Sequence, residues 1–504
     1  MSFPASFCLF IYFSLLAILS VYGVHRTWLL LRLKRVPAKP ASSPPGDESV
    51  RLVPEGHDAP FVTIQLPIYN ERFVVERLIT AVASLRYPRS RFEIQVLDDS
   101  TDDTSDLVAR CVARYRADGI DIRHLRRTSR EGYKAGALAE GLRHARGDLI
   151  AVFDADFKPS ADFLERIVPY FSDPCIGMVQ ARWSHINEGY SALTRAQAAL
   201  LDGHFLIEHA SRHCAGHFFN FNGTAGVWRR SCIESAGGWQ HDTLTEDLDL
   251  SYRAQLAGWK FHYLPDLEAP AELPVEMAAF RSQQMRWAKG SIQTGLKLLP
   301  RLMLTPLPLS IRIEAFFHLT ANLCYVWMTG LALLMPPAMV ARMRLSSASL
   351  SMIDGPLIVL SLLSISLFYL EAQRLAGVPF PLRLKRLPMI MAVGAGLSLS
   401  NAVAVIEALM GIPSPFKRTP KHGIEGREGR SSGYHSPVGW LPWIELAMAL
   451  YLGCAIVLAL AEKRWLGVPF MLLFSAGFFY VGLMSILEID QPGEDRPLTE
   501  GFHP

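Results

Sequence analysis

Seven cysteines in 504 residues, at positions 8, 111, 175, 214, 232, 324 and 454, include no C-x-x-C pair. So sparse a set builds neither a disulfide framework nor a structural zinc site, and it fits reduced cytosolic thiols. Net charge is also small, at +3, and gives no ground for a polyanion; no nucleic-acid partner is expected. The Lys and Arg clusters that do occur sit beside apolar runs, where a membrane accounts for them. No G-x-x-x-x-G-K-[ST] sequence is present, which removes a P-loop ATPase. The apolar run from Ala5 to about Val24 has no Lys or Arg ahead of it, so the basic n-region of a signal peptide is missing.

What the chain has is hydrophobic residues, half of the total, concentrated at its two flanks. Residues 1–35 read as a transmembrane anchor followed by Arg26, Arg32, Lys34, Arg35 and Lys39. By the positive-inside rule that places the N-terminus outside and the next domain in the cytosol. Residues 36–60, rich in Pro, Ser and Gly, read as a linker, 61–275 as a soluble domain, and 276–312 as interfacial helices. Residues 313–490 carry further apolar runs of membrane-crossing length. One of these, 388–411, holds Gly394, Gly396, Ser398, Ser400, Asn401 and Glu407 and is expected to lie along the interface. That reading leaves five crossings and returns the basic loop 412–437 to the cytosol. Residues 491–504 form a tail. The chain is therefore expected in an inner, plasma or Golgi-type membrane, with the bilayer as a partner.

Within 61–275, strand-like runs alternate with helical ones. "FVTIQLPIYN", "FEIQVLDDS", "DIRHL", "LIAVFDADF" and "IGMVQARW" read as strands. The alternation predicts an α/β fold with a largely parallel, doubly wound, Rossmann-like sheet that binds ligands at its C-terminal strand ends. Acidic clusters stand at those ends. Asp102 and Asp103 read as loop or capping acids. Asp154 and Asp156, after "LIAVF", form a D-x-D pair able to grip a hard divalent cation that also bridges a diphosphate. Lys134 stands at a helix start, which suits a phosphate. The Glu246-Asp247 pair is not explained by capping alone. In "QQMRW", Arg286 and Trp287 read either as an interfacial belt or as a phosphate-binding arginine beside a sugar platform. His209, His213 and His217 are spaced four apart, but carboxylates supply the better cation site for phosphate chemistry.

Seven motifs then run in order: "LPIYNE" (66–71), "LDDSTDDT" (97–104), "EGYKAGAL" (131–138), "DADF" (154–157), "FNGTAG" (221–226), "TEDLDL" (245–250) and "QQMRW" (283–287). With "FKRTPKHG" (416–423), the set resembles the family 2 glycosyltransferases of the cellulose-synthase-like group. Its spelling is most similar to the mannan, glucomannan and xyloglucan-backbone synthases. The resemblance implies a GT-A-type catalytic domain joined to transmembrane helices.

It also implies roles. Tyr69, Glu71, Asp98 and Asp99 would hold the base and ribose of a nucleotide sugar. Lys134, Asp154 and Arg286 would lie along its diphosphate, and Asp156 would ligate Mg²⁺ or Mn²⁺. Asp247, paired with Glu246, would act as general base. Phe221, Asn222, Gly223, Gln283 and Trp287 would face the acceptor. Phe416, Arg418, Thr419 and Lys421 would close over the nucleotide as a gating loop. The implied activity is inverting hexose transfer from UDP-glucose or GDP-mannose to a growing β-1,4-linked glycan moved across the membrane. The alternative is a non-processive transferase with a lipid acceptor, making a glycolipid such as monoglucosyldiacylglycerol.

Overall fold

The structure is a computed structural model that describes residues 3–35, 59–343, 348–414, 416, 418–426, 439–465 and 467–488. The expected linker up to residue 58, half of the loop 412–437 and the tail lie outside these residues.

A seven-stranded sheet forms the centre of the soluble part. Its strands are β1 (Val62–Ile68), β2 (Phe92–Asp98), β3 (Ile122–Arg126), β4 (Leu149–Val152), β5 (Ile176–His185), β6 (Gly226–Arg229) and β7 (Lys260–Ala271), in the order β3-β2-β1-β4-β6-β5-β7. β1 to β4 pair in parallel, as do β5 and β7, while β6 runs antiparallel between β4 and β5. The five strand-like runs of the sequence are all present. β6 was not foreseen, because the four residues "GVWR" are too short to show a period; β7 carries Pro265 and Pro270, which demote a strand reading.

Every residue of β2 and all but one of β1 is buried, as expected for strands covered on both faces. Their buried polar residues are paired across the ladder. Thr63 Oγ1 donates to Glu93 Oε1 at 2.8 Å, and Gln65 Nε2 to Gln95 Oε1 at 3.0 Å. Glu93 also accepts the backbone N–H of Arg146 at 2.7 Å and its Nε at 2.8 Å, which ties the loop before β4 to the base of β2. With the strand bases held, the opposite ends align. The register sets Ile68 beside Asp98 and Gln65 beside Val152, so Tyr69–Glu71, Asp99 and Asp154–Asp156 emerge along one edge.

Among the described residues six helical stretches are long and apolar enough to cross a membrane: Ala5–Leu33, Leu309–Arg342, Gly355–Leu375, Phe380–Leu409, Leu441–Ala461 and Val468–Leu487. The fourth contains most of the segment expected to lie along the interface. It differs from the others in burial, with 67% of its most apolar window inside the protein against 22–44% elsewhere. Its small and polar residues serve close packing. A side chain at Gly396 would meet the Gly477 carbonyl at 2.3 Å, and Asn401 is fully buried. Below this bundle runs the helix Met277–Leu304, which carries the QQMRW sequence up to the cleft.

Candidate active site

One cleft opens where the C-terminal ends of β1, β2 and β4 meet the helix Met277–Leu304, and residues 416 and 418–421 lie across it. Its floor begins in the loop after β1. Asn70 takes a left-handed backbone (φ 55°) and its side-chain Oδ1 accepts the N–H of Thr101 at 2.9 Å, locking this loop to the one after β2. Beside it the Arg130 guanidinium lies over the Tyr69 ring, 3.2 Å from its centroid, and Asp99 is gripped by Arg127.

The middle of the cleft is a ladder of ion pairs. Lys134 Nζ meets Asp154 at 2.5 Å and donates to the Gly223 carbonyl at 2.9 Å. Burial works against the charged ammonium, but Asp154, Glu246 and Asp247 together hold Lys134 above its ordinary range. Lys421 Nζ meets Asp156 at 2.7 Å, and Arg418 grips Glu71 through two bonds of 2.9 and 2.8 Å. Burial nevertheless raises Glu71 to about 7, against the pull of Arg418.

Glu246 and Asp247 open the helix Glu246–Leu256, where the N-terminal dipole favours negative charge. Asp247 Oδ1 accepts the Leu248 N–H at 2.8 Å. Burial, reinforced by the neighbouring Glu246, still pushes Asp247 up to about 7. The wall opposite it must be bare. Gly223 has φ 81°, and a β-carbon there would stand 3.0 Å from Asp247 Oδ2. Asp247 is thus a half-buried carboxylate whose proton affinity sits near neutrality, the property a general base requires.

The segment across the cleft is fastened at several points. Phe416 is stacked on Tyr133, with centroids 5.5 Å apart, and Arg286 lies 4.5 Å from the Phe416 centroid. Further along, both oxygens of Glu272 accept backbone N–H groups, from His422 at 2.8 Å and Gly423 at 3.0 Å. Gly423 has φ 72°, and a β-carbon there would meet the Phe73 carbonyl at 2.7 Å. Gly423→Ala is therefore expected to detach this segment and to weaken binding of the nucleotide sugar expected from the sequence about tenfold, with a smaller change in thermal midpoint. Equal nucleotide affinity in the variant, read by isothermal titration, would count against this fastening.

Every residue proposed from the sequence lines this cleft except Asp98 and Phe221. Asp98 is buried and committed elsewhere: it meets His124 Nε2 at 2.8 Å and accepts the Ser100 N–H at 2.8 Å. Those bonds outweigh burial and keep it below the usual carboxylate range. Phe221 is fully buried in the core, edge-on to Trp228 at 5.5 Å. Lining residues that were not foreseen include Arg130, Tyr133, Trp183 and Glu272. Tyr133 lies inside the "EGYK" motif, and Trp183 ends a strand-like run, so both were within reach. Glu272, in "APAELP", carries no local signal.

For a divalent cation, Asp154 and Asp156 offer hard oxygen donors, and the ammonium of Lys421 already sits as a cation on Asp156. No group of three or more His, Cys, Asp or Glu able to hold a metal occurs among the described residues. One or two carboxylates completed by substrate phosphates is the habit of Mg²⁺ and its like, so the donor set fits. His209, His213 and His217 do not converge: His213 meets His262 at 3.2 Å and His217 faces Arg32.

Residues 59–290 match the model described as "Glycosyltransferase like family 2". Over these residues the chain carries a domain of the glycosyltransferase family 2 type. The family 2 domain carries close likeness to named plant proteins. The chain is 47% identical over 236 residues to glucomannan 4-beta-mannosyltransferase 7 of Arabidopsis thaliana, covering 46% of this chain and 42% of that protein. It is 41% identical over 300 residues to the probable glucomannan 4-beta-mannosyltransferase 10 of the same plant, covering 58% and 54%. The chain thus spans about half the length of the curated relatives it matches. A solved mannosyltransferase from Pyrobaculum calidifontis, in complex with GDP-Man and Mn2+, superposes with a TM-score of 0.52 at 20% identity, covering 80% of this chain and 99% of that one. That likeness identifies the fold as GT-A.

Proposed function

We propose that the protein is a membrane-embedded, inverting mannosyltransferase that extends a β-1,4-linked glycan from GDP-mannose and moves it across the membrane. The observation that carries this reading is Asp247, raised to about 7 and packed against Gly223, whose carbonyl is tied through Lys134 to Asp154. A base close to a diphosphate site is what direct displacement at an anomeric carbon requires. The relatives named as glucomannan 4-beta-mannosyltransferases support mannose over glucose.

In this reading Tyr69, Arg130 and Asp99 hold the nucleoside. Lys134 and Arg286 lie along the diphosphate, and Arg418 and Lys421 exchange their carboxylate partners for its charge as the donor enters. Asp156, beside Asp154, would hold Mg²⁺ or Mn²⁺, which neutralises charge on the departing diphosphate. Asp247 takes the proton of the attacking acceptor hydroxyl. Attack from the face opposite the leaving group turns an α-linked donor into a β-linked product, with no enzyme-bound intermediate. Asn222, Gln283 and Trp287 face the acceptor, with Trp183 and Trp287, centroids 6.4 Å apart, as a stacking surface.

The test is nucleotide release by the purified full chain in lipid nanodiscs, offered GDP-mannose or UDP-glucose with Mg²⁺ or Mn²⁺. Faster release of GDP, dependent on the cation, is the expected result. Release of UDP alone would overturn the donor assignment.

A further inference from the structure

The turn Gly203–His209 is a π-helix, set between two α-helical stretches. A π-turn brings residues five apart close to one face, where an α-helix would separate them. Here it brings together His204 and His209, whose ring centroids are 4.5 Å apart. Both imidazoles hold the same loop. His209 Nε2 donates to the Asn220 carbonyl at 2.8 Å, and His204 Nε2 meets Asn222 Nδ2 at 2.8 Å. Asn222 lines the cleft, and its backbone N–H is fixed separately by Gln180 Oε1 at 3.0 Å.

An amide nitrogen donates, so His204 Nε2 accepts, which leaves the ring proton on Nδ1. That proton points to Glu208, whose Oε2 lies 3.3 Å from Nδ1. Glu208 is held in turn by two arginines. Arg212 stands 3.7 Å away, and Arg26, on the N-terminal apolar helix Phe3–Arg35, reaches Glu208 Oε1 at 3.9 Å. Arg212 is itself anchored by Glu314 at 2.9 Å. A continuous polar chain therefore runs from a membrane helix, through Glu208 and His204, to one amide in the cleft.

We propose that His204 and Glu208 are positioning residues for the acceptor sugar: Glu208, steadied by Arg26 and Arg212, fixes the tautomer of His204, and His204 fixes the Asn222 amide. The inference rests on the functional reading above, in which Asn222 faces the acceptor. It adds that acceptor binding, rather than donor binding, depends on the seating of the N-terminal membrane helix. Without Glu208 the His204 proton has no fixed site, and the amide can turn over. Asn222 Oδ1 is buried and has no hydrogen-bond partner among the described residues, so the amide is held through its contact to His204.

The experiment is steady-state kinetics of the full chain in nanodiscs, with GDP-mannose as donor and a β-1,4-linked manno-oligosaccharide as acceptor. His204→Ala and Glu208→Gln are each expected to raise the acceptor KM about tenfold while the donor KM stays within about twofold. His204→Gln, which can still accept from Asn222, is expected to recover most of the affinity. In an Asn222→Ala background, His204→Ala should add nothing, because its partner is already gone. Unchanged acceptor KM, donor and acceptor KM rising together, or additive effects in the double variant would each overturn the inference. A wild-type chain inert toward GDP-mannose would instead overturn the functional reading and the inference with it.

Discussion

Asp247→Asn is expected to lower the rate of sugar transfer by about 10²–10⁴-fold and, at the same time, to raise the thermal midpoint. Both effects come from one cause. Burial beside Glu246 raises Asp247 from an ordinary value of 3.8 to about 7. Between those two values the folded protein binds a proton that the unfolded chain has released. Stability contributed by this group is therefore greatest at low pH and declines as pH rises through the window, so above about 7 the buried charge is a net cost. An amide of the same shape removes that cost, on the order of 1–3 kcal/mol after allowing for solvent relaxation. The rate follows the opposite direction. In the proposed mechanism transfer needs the ionised carboxylate, so the wild-type rate should fall as pH is lowered through about 7. A rate-against-pH profile and a melting curve at pH 8 check the pair. A variant that melts lower, or one that retains activity, would remove Asp247 from the role of base.

Asp156→Asn is the second large expected effect. Among the described residues the carboxylate pairs with Lys421 at 2.7 Å, and it stands beside Asp154. Losing one of two hard oxygen donors at the diphosphate end should cost about 10²–10³ in rate, without rescue by added Mn²⁺. Chelation of the wild-type chain should produce the same loss, reversed when the cation is restored. The thermal midpoint should move little, because Asp156 stands in the cleft and not in the sheet core. Metal-independent transfer, in either protein, would contradict the assignment of this strand end to a cation.

The sequence made the strand ends legible for a physical reason. In a parallel sheet, each buried apolar run must stop where the chain leaves the core, and the polar residues just beyond it have to lie along one edge. The end of "LIAVFDADF" therefore marked Asp154 and Asp156, while Glu71 was implied by the motif resemblance. Motif order located Lys134, Asp247 and Arg286. What stayed hidden depends on contacts between distant segments. Glu272 works only because residues 422 and 423 arrive from 150 residues away to place their N–H groups on it. Asp98 could not be told from Asp99 in "LDDS", since one residue of alternation turns the first into the sheet, toward His124, and leaves the second at the cleft. Phe221 shows the converse: its motif implied a sugar contact, while an aromatic beside Trp228 gains more from the core. The π-turn at Gly203–His209 has no sequence signature at all. Its two histidines, five apart, look unrelated until the extra residue in the turn brings them together.

The most direct test of the central claim is the fate of label from GDP-mannose. The full chain in nanodiscs would be given labelled donor and Mn²⁺, and the product divided between organic extract and insoluble glycan. Label in an insoluble polymer that a β-1,4-mannanase dissolves is the predicted result. Label confined to the organic extract would contradict it and make this protein a glycolipid transferase.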